Sequence, residues 1–298
     1  MKKLMMVGLL LTVAFALQAQ VKIAPMMQKG TVKNYVAVAI ATLPGQGDVK
    51  ITTDTKYTIT DATADGYVLE MVSTDVKTEC DPNNIAGKLM AAAEEMIKGT
   101  VIRVTLDKDG RVQNILNGDE VKAKLDKQAD VFIDQMMTEI PQLAQVLSKY
   151  ALKQQVAQSL TTDALVKSMQ EATSPLALNG KTLMTGLQDE FVSKEGMKMK
   201  RMYFVNGKSI VANSLMNMSD DEMKKFIIKQ VEQSAPEQAE MVKQNIDQVI
   251  ASGMLKMGHE EKATYELQDD GWVKSITTDA TTETMGQKVV SKATVTLK

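Results

Sequence analysis

The sequence predicts an α+β fold in which an antiparallel β-sheet packs against several α-helices. Four stretches show the two-residue alternation of strands, and segments with helical periodicity lie between them. A strand–Asp-Gly–strand pattern also occurs twice, which is a strong hairpin signal. Polar residues share one parity in the strand stretches, as expected for an antiparallel sheet with one solvated face.

The N-terminus has the layout of a secretory signal peptide. Lys2 and Lys3 precede the apolar run Leu4–Leu17, which is too short to span a bilayer. Cleavage is expected after Ala19, with a cut after Ala16 as the alternative. No cysteine follows either cut, so we do not expect a lipoprotein.

These features predict a signal peptide over 1–19 and a single α+β domain over 20–298. We expect the mature protein to be periplasmic or secreted, without a transmembrane segment.

Composition argues against several classes of function. The net charge is −2 with both signs interspersed, so there is no basic stripe for nucleic acid. Aromatic residues are only 4% of the chain, which argues against the stacking platforms of sugar or single-strand binders. Cys80 is the only cysteine, so no internal disulfide can form, and we interpret it as a packed or idle thiol.

The strand stretches are expected at about 31–79, 100–117, 181–216 and 258–297. In the first of them, β-branched and aromatic residues share one face of the segment that begins at Val49 and ends at Ile59.

The helices are expected between these stretches. Asn84 begins the first, which ends near Gly99. A longer set covers 119–173, with a helix start at Pro141 and a cap at Thr162 or Asp163. In the last pair, Ser219 and Glu222 form a capping box, and Pro236 starts the second helix.

The repeated pattern reads "TLDKDGRV" at 105–112 and "ELQDDGWV" at 266–273. A calcium-binding EF-hand loop needs a bidentate Glu at position 12, where these segments have Gly118 and Ala280. We therefore interpret the repeat as structural scaffold and as a hint of a weak internal duplication.

No catalytic or metal-binding motif is present in the sequence. His259 is the only histidine, and position 263, where a zinc-protease motif needs a second one, is Ala. There is no nucleophile elbow, P-loop or dinucleotide fingerprint. We expect a non-enzymatic protein without metal or cofactor, and we interpret His259 as exposed and idle.

The 22 methionines are unusually many and are clustered. They suit four interpretations: replacement of Leu and Phe in the core, the adaptable wall of an apolar ligand cavity, a Cu(I) site, or a buffer against oxidation. For the ligand cavity, the candidate lining residues are Met197, Met199, Met202, Met216 and Met218.

Three segments resemble uncharacterised exported envelope proteins of Gram-negative bacteria. "QKGTVKNYVAVA" (28–39) is similar to their opening strand, and "GTVIRVTLDKDGRVQNILNGDEV" (99–121) to their hairpin and helix entry. "ATYELQDDGWVKSITTDATTET" (263–284) is similar to their closing hairpin. Such proteins share a layout with the LolA-type lipoprotein carriers. The resemblance implies a curved, half-barrel-like antiparallel sheet packed against several helices around an apolar cavity.

The expected function is therefore to bind or carry a lipid or other hydrophobic ligand in the cell envelope. The alternative is a structural or protein-interaction protein of the envelope that has no small-molecule ligand and docks an envelope protein.

Overall fold

The computed structural model describes residues 20–45, 47–81, 84–139, 149, 161–193, 196–234, 239–251, 257–284 and 287–298. The predicted signal peptide lies outside these ranges.

Most of the described chain belongs to one antiparallel sheet of eleven strands. In chain order its strands are β2 (Val32–Leu43), β3 (Gly47–Ala62), β4 (Gly66–Cys80), β5 (Val101–Asp107), β6 (Val112–Ile115), β8 (Gln188–Val192), β9 (Lys198–Asn206), β10 (Ser209–Met216), β11 (Met257–Leu267), β12 (Val273–Thr284) and β13 (Gln287–Leu297). A second, two-stranded sheet pairs β1 (Val21–Lys22) with β7 (Thr182–Leu183).

The strand order is β6-β5-β4-β3-β2-β13-β12-β11-β10-β9-β8. Every neighbouring pair follows directly in sequence except β2 and β13, which join the beginning and the end of the described chain. Their register runs from Tyr35 opposite Leu297 to Thr42 opposite Val290. The edge strands β6 and β8 are not paired with each other in the part of the chain that the structure describes, so the sheet is open.

Five helices are described, and they occupy a smaller part of the chain than the sheet. They are α1 (Ile85–Ile97), α2 (Gly118–Glu139), α3 (Thr162–Ser168), α4 (Asp220–Ser234) and α5 (Ala239–Ala251). The predicted α+β class is confirmed, although the sheet dominates over the helices more than the sequence suggests.

The helix starts agree with the capping residues that the sequence offers. The Asn84 side chain accepts a hydrogen bond from Gly87 N at 2.8 Å, and Ser219 N donates to Glu222 Oε2 at 3.0 Å. The cap of α3 is Thr161 instead of the predicted Thr162 or Asp163, because the Thr161 hydroxyl is the one that accepts from Ala164 N. The predicted helix starts at Pro141 and Pro236 lie outside the described residues.

The two Asp-Gly hairpins form as predicted and share one hydrogen-bond pattern. In the first, Asp107 N donates to Arg111 O and Gly110 N donates to Asp107 O, both at 2.9 Å. In the second, Gln268 N donates to Trp272 O at 2.8 Å and Gly271 N donates to Gln268 O at 3.1 Å. Both glycines have positive φ, 81° and 78°, a conformation that glycine adopts without strain.

The segment that precedes β2 contacts both hairpins, the first through the ion pair of Lys22 with Asp109 and the second through Met26. Its Met26 carbonyl accepts a hydrogen bond from Trp272 Nε1 at 2.9 Å, and Met26 N donates to Asp270 O at 2.7 Å. Ile23 and Met27 are buried in two different clusters of the hydrophobic core. The first long strand therefore starts from a segment that is itself anchored by packing.

Gly66 begins β4 where β5 passes closest, and we predict that it tolerates no side chain. A β-carbon at Gly66 would overlap the carbonyl oxygen of Leu106, and its φ of 151° is unfavourable for other residues. Gly207 is a matched control, because it also has positive φ but nothing lies within 4 Å of the position that a β-carbon would take there. Gly66→Ala should lower the free energy of unfolding by about 2 kcal/mol more than Gly207→Ala, measured by urea denaturation. Equal losses would contradict the predicted overlap.

The capping box of α4 predicts a pH-dependent contribution to stability. The hydrogen bond from Lys198, followed by that from the Ser219 backbone, lowers the pKa of Glu222 from 4.5 to about 2. Because the folded-state pKa is depressed, this contribution is present above about pH 4.5 and is lost as the pH falls towards 2. The stability difference between wild type and Glu222→Gln should therefore shrink over that window in urea melts. Glu260→Gln, at an exposed position on β11, serves as the control and should show no such trend.

Candidate functional site

One face of the sheet, here called the inner face, is lined by small side chains near the seam between β2 and β13. In the strand register, one row across the sheet consists of Ala39, Ala293, Thr278, Ala263 and Ala212. The next row consists of Ala41, Ser291, Ala280, Glu261 and Ser214. Five of these short side chains leave open space above the backbone near the seam, whereas Ala212 and Ala263 are packed in the core. The five are Ala39, Ala41, Ala280, Ser291 and Ala293.

A cavity of about 690 Å³ lies above these rows. Its opposite wall is formed by the segment that follows α3, including Ala172, Leu176 and Ala177. The volume falls within the roughly 300–1,000 Å³ range typical of small-molecule sites. Most of its lining is apolar, with a small number of charged side chains.

Residues from both ends of the sheet line this cavity. Val112 and Gln113 belong to the edge strand β6, whereas Phe191 and Val192 belong to the opposite edge strand β8. In a flat sheet, eleven strands spaced about 4.8 Å apart would place these edges about 48 Å from each other.

Of the five methionines predicted to line a ligand cavity, two line the cavity of about 690 Å³. Met197 and Met199 are buried, and both line the cavity. Met202 has the opposite parity on β9 and lies on the other face of the sheet. Met216 is paired with Met199, and Met218 follows β10; neither lines the cavity.

Arg201 is the most deeply buried charge of the site. It is 5% exposed, its Nε donates to Ser214 Oγ at 3.0 Å, and its guanidinium carbon lies 4.0 Å from the centroid of the Phe191 ring. Burial works against its charge, but Tyr203, Tyr265 and the nearby carboxylate of Asp189 outweigh it, so the pKa of the guanidinium lies above its ordinary value. Arg201 is therefore a cation inside the protein.

Asp189 and Lys181 form an ion pair beside Arg201. Lys181 Nζ donates to Asp189 Oδ2 at 3.0 Å, and the Tyr203 hydroxyl donates to the same oxygen at 2.8 Å. Asp189 Oδ1 is buried without a hydrogen-bond partner. This pair connects the segment after α3 to β8, and its Lys181 lines the cavity.

His259 lies at the cavity and is half-buried, whereas the sequence predicts an exposed histidine. It shares the inner parity of β11 with Glu261, and its Nδ1 forms a hydrogen bond with Thr282 Oγ1 at 2.9 Å. Neither Ser214 nor Glu261 has a hydrogen bond to the imidazole among the described residues. No nucleophile–base–acid chain is formed there.

A smaller cavity of about 280 Å³ lies on the other side of Thr173, which lines both. Tyr57 is part of its wall, and burial raises the pKa of this phenol to about 12. Tyr57 gives this cavity an uncharged wall, since a phenol is neutral at physiological pH even without this shift.

Two kinds of site are absent from the described ranges. No group of three or more His, Cys, Asp or Glu side chains is placed there to hold a metal ion. No described helix is both long and apolar enough to cross a membrane.

Comparisons with known proteins place the chain in no family. No protein-family model matches it, and no curated protein matches it. Among solved structures, it is similar to the S-type phycobiliprotein lyase CPES from Guillardia theta, with 6% identity, coverage of 90% of this chain and 88% of the other, and a TM-score of 0.22. It is also similar to a porin-like protein from Bacteroides uniformis, with 9% identity, coverage of 93% and 98%, and a TM-score of 0.21. Scores this low support neither a shared fold nor a shared function.

The empty space above the small-residue rows predicts different tolerance at two neighbouring alanines. Ala280 is half-buried and lines the cavity, whereas Ala263, on the adjacent strand, is fully buried in the packed core. Ala280→Leu should change the free energy of unfolding by less than about 1 kcal/mol, because the added atoms enter open space. Ala263→Leu should cost about 1–3 kcal/mol through overpacking. Urea denaturation followed by the fluorescence of Trp272, the only tryptophan, measures both; an equal cost at the two positions would mean that the cavity is filled.

Proposed function

We propose that this protein binds or carries a lipid or other hydrophobic ligand in the cell envelope, without catalysis. The observation that carries the proposal is the cavity of about 690 Å³ between the inner face of the sheet and the segment after α3. A molecule that fills this partly open cavity would bury apolar surface against its lining and pack against the short side chains of the floor.

The sheet would supply this cavity by curving as a half-barrel. Lining residues from both edge strands support this geometry, because a flat sheet would keep those strands far apart. Small residues at the centre would make the floor, and Met197 and Met199 would provide a wall that adapts to ligands of different shape.

The proposed location rests on the sequence alone. The basic and apolar segment over 1–19 is the feature that supports export. N-terminal sequencing of the protein from fractionated cells tests it: a mature chain that begins near Gln20 in the envelope or the medium supports export, and a full-length cytoplasmic chain contradicts it.

Native mass spectrometry tests the carrier function directly. Protein purified under mild conditions from its own envelope should show a reproducible excess mass that is lost on denaturation and recovered in an organic extract. A bare mass across several growth conditions would contradict the proposal and favour the alternative of a protein-interaction role, which cross-linking to envelope partners would then examine.

A neutral apolar dye, N-phenyl-1-naphthylamine, tests the cavity as the binding site. The double variant Ala280→Leu with Ala293→Leu places four-carbon side chains over the floor and should weaken dye binding about tenfold or more by occluding the space. Thr294→Leu is the matched control, since Thr294 neighbours Ala293 on β13 but is exposed on the opposite face. Unchanged binding in the double variant would place the dye elsewhere.

A further inference from the structure

The guanidinium of Arg201 is a buried charge without a carboxylate partner. Among the side chains that the structure describes, no carboxylate oxygen lies within 4 Å of its nitrogens. It contacts the Ser214 hydroxyl and the face of Phe191 instead. The carboxylate of Asp189 stabilises this charge only from a distance, whereas buried charges are normally paired in direct contact.

Asp189 and Glu261, which lie opposite Arg201 and Ser214 in the strand register, are engaged with other groups. Asp189 is opposite Arg201 in the strand register, but its bonded oxygen accepts from Lys181 and Tyr203. Glu261 lies beyond Ser214, whose hydroxyl is 3.4 Å from Glu261 Oε1. The protein therefore holds the cation in place without supplying its counter-ion at contact distance.

An unpartnered hydroxyl lines the same cavity. Thr278 is 4% exposed, and its Oγ1 has no hydrogen-bond partner among the residues that the structure describes. It lies on β12, three strands from β9, which separates the two strand axes by about 14 Å. A buried hydroxyl without a partner is unfavourable, and a polar atom of a ligand would satisfy it.

The charge of the lining also favours an anion. Lys181 and Lys292 have carboxylate partners, Asp189 and Asp279. The other charged side chains that line the cavity are three cations and two carboxylates, namely Arg111, Lys167, Arg201, Glu171 and Glu261. The balance is positive in a chain whose net charge is −2.

We propose that the ligand is an amphiphile with an anionic head group, that this head group binds Arg201, and that its apolar body lies along the small-residue rows. This proposal rests on the proposed ligand-binding function. The planar guanidinium can donate two parallel hydrogen bonds to a carboxylate or a phosphate, whereas a neutral head group offers no charge to compensate. A second polar group of the ligand would reach Thr278.

Competition against N-phenyl-1-naphthylamine tests the head group in the wild-type protein. Four ligands with the same C16 chain, used below their micellar concentrations, differ only in the head: hexadecanoate, hexadecyl phosphate, hexadecanol and hexadecyltrimethylammonium. Both anions should bind about tenfold or more tightly than the alcohol, and the cation should bind most weakly. The tighter of the two anions identifies the head-group chemistry.

Substitution of Arg201 assigns this preference to one side chain. Arg201→Met keeps the apolar stem of the side chain and should abolish the preference for hexadecanoate over hexadecanol, with each competition referred to the dye affinity of that same variant. Arg201→Lys should restore part of it, because it retains the charge without the planar fork. Lys208→Met, at an exposed position, is the control and should leave the preference unchanged. Trp272 fluorescence melts show that each variant is folded.

Two failures are distinguishable. Equal affinity for hexadecanoate and hexadecanol in the wild type, or an undiminished preference in folded Arg201→Met, would overturn the anionic head group while leaving an apolar cavity in place. Absence of dye and ligand binding altogether would overturn the proposed function itself. The comparison of the four ligands needs no variant, so it decides the question even if Arg201→Met fails to fold.

Discussion

The pairing of β2 with β13 is the constraint on which the remainder of the architecture depends. Without it, the chain would form two separate antiparallel meanders, β2 to β6 and β8 to β13. The pairing joins them along eight residue pairs, and Lys298 N extends it by donating to Asn34 O at 2.8 Å. The small-residue rows cross this seam, so the floor of the cavity exists only when both meanders are joined.

Some side chains on the inner face are packed and stabilise the fold, whereas others are short and line the cavity. Large residues on the inner face, such as Tyr35, Tyr203 and Tyr265, are fully buried, and they contribute apolar area that stabilises the fold. Further along the same strands the inner positions are mostly Ala, Ser and Thr. Ala39, Ala280 and Ala293 line the cavity beneath the segment after α3, whereas Ala212 and Ala263 are buried in the core. Arg201 is buried at one end of the cavity, where it is stabilised by its contacts with Ser214 and Phe191 and not by apolar packing.

Much of the fold could be predicted from local signals in the sequence. Alternation located the strands, Asp-Gly located the hairpins, and Ser219 with Glu222 located a helix start, because each of these features is determined by neighbours in the chain. The pairing of β2 with β13 could not be predicted this way, since it joins opposite ends of the described chain. The same applies to Arg201: nothing in "MKMKRMYFV" distinguishes a buried arginine from a solvated one until the strand is placed. Strand parity alone, however, places Met197 and Met199 on one face of the sheet and Met202 on the other. Treating these methionines as one cluster concealed this difference.

The position of β13 has a consequence for how the chain acquires its structure during synthesis. β13 follows every other described strand in the sequence, yet it lies not at an edge but in the middle of the sheet, between β2 and β12. Until it arrives, β2 presents an unpaired edge, and contacts between the two ends carry the loop-closure cost of the whole intervening chain. The strands β2 to β6 can therefore pair with one another before β13 is synthesised, but the floor of the cavity forms only after β13 pairs with β2. A truncation of only about ten C-terminal residues would therefore remove a central strand of the sheet and not an edge strand.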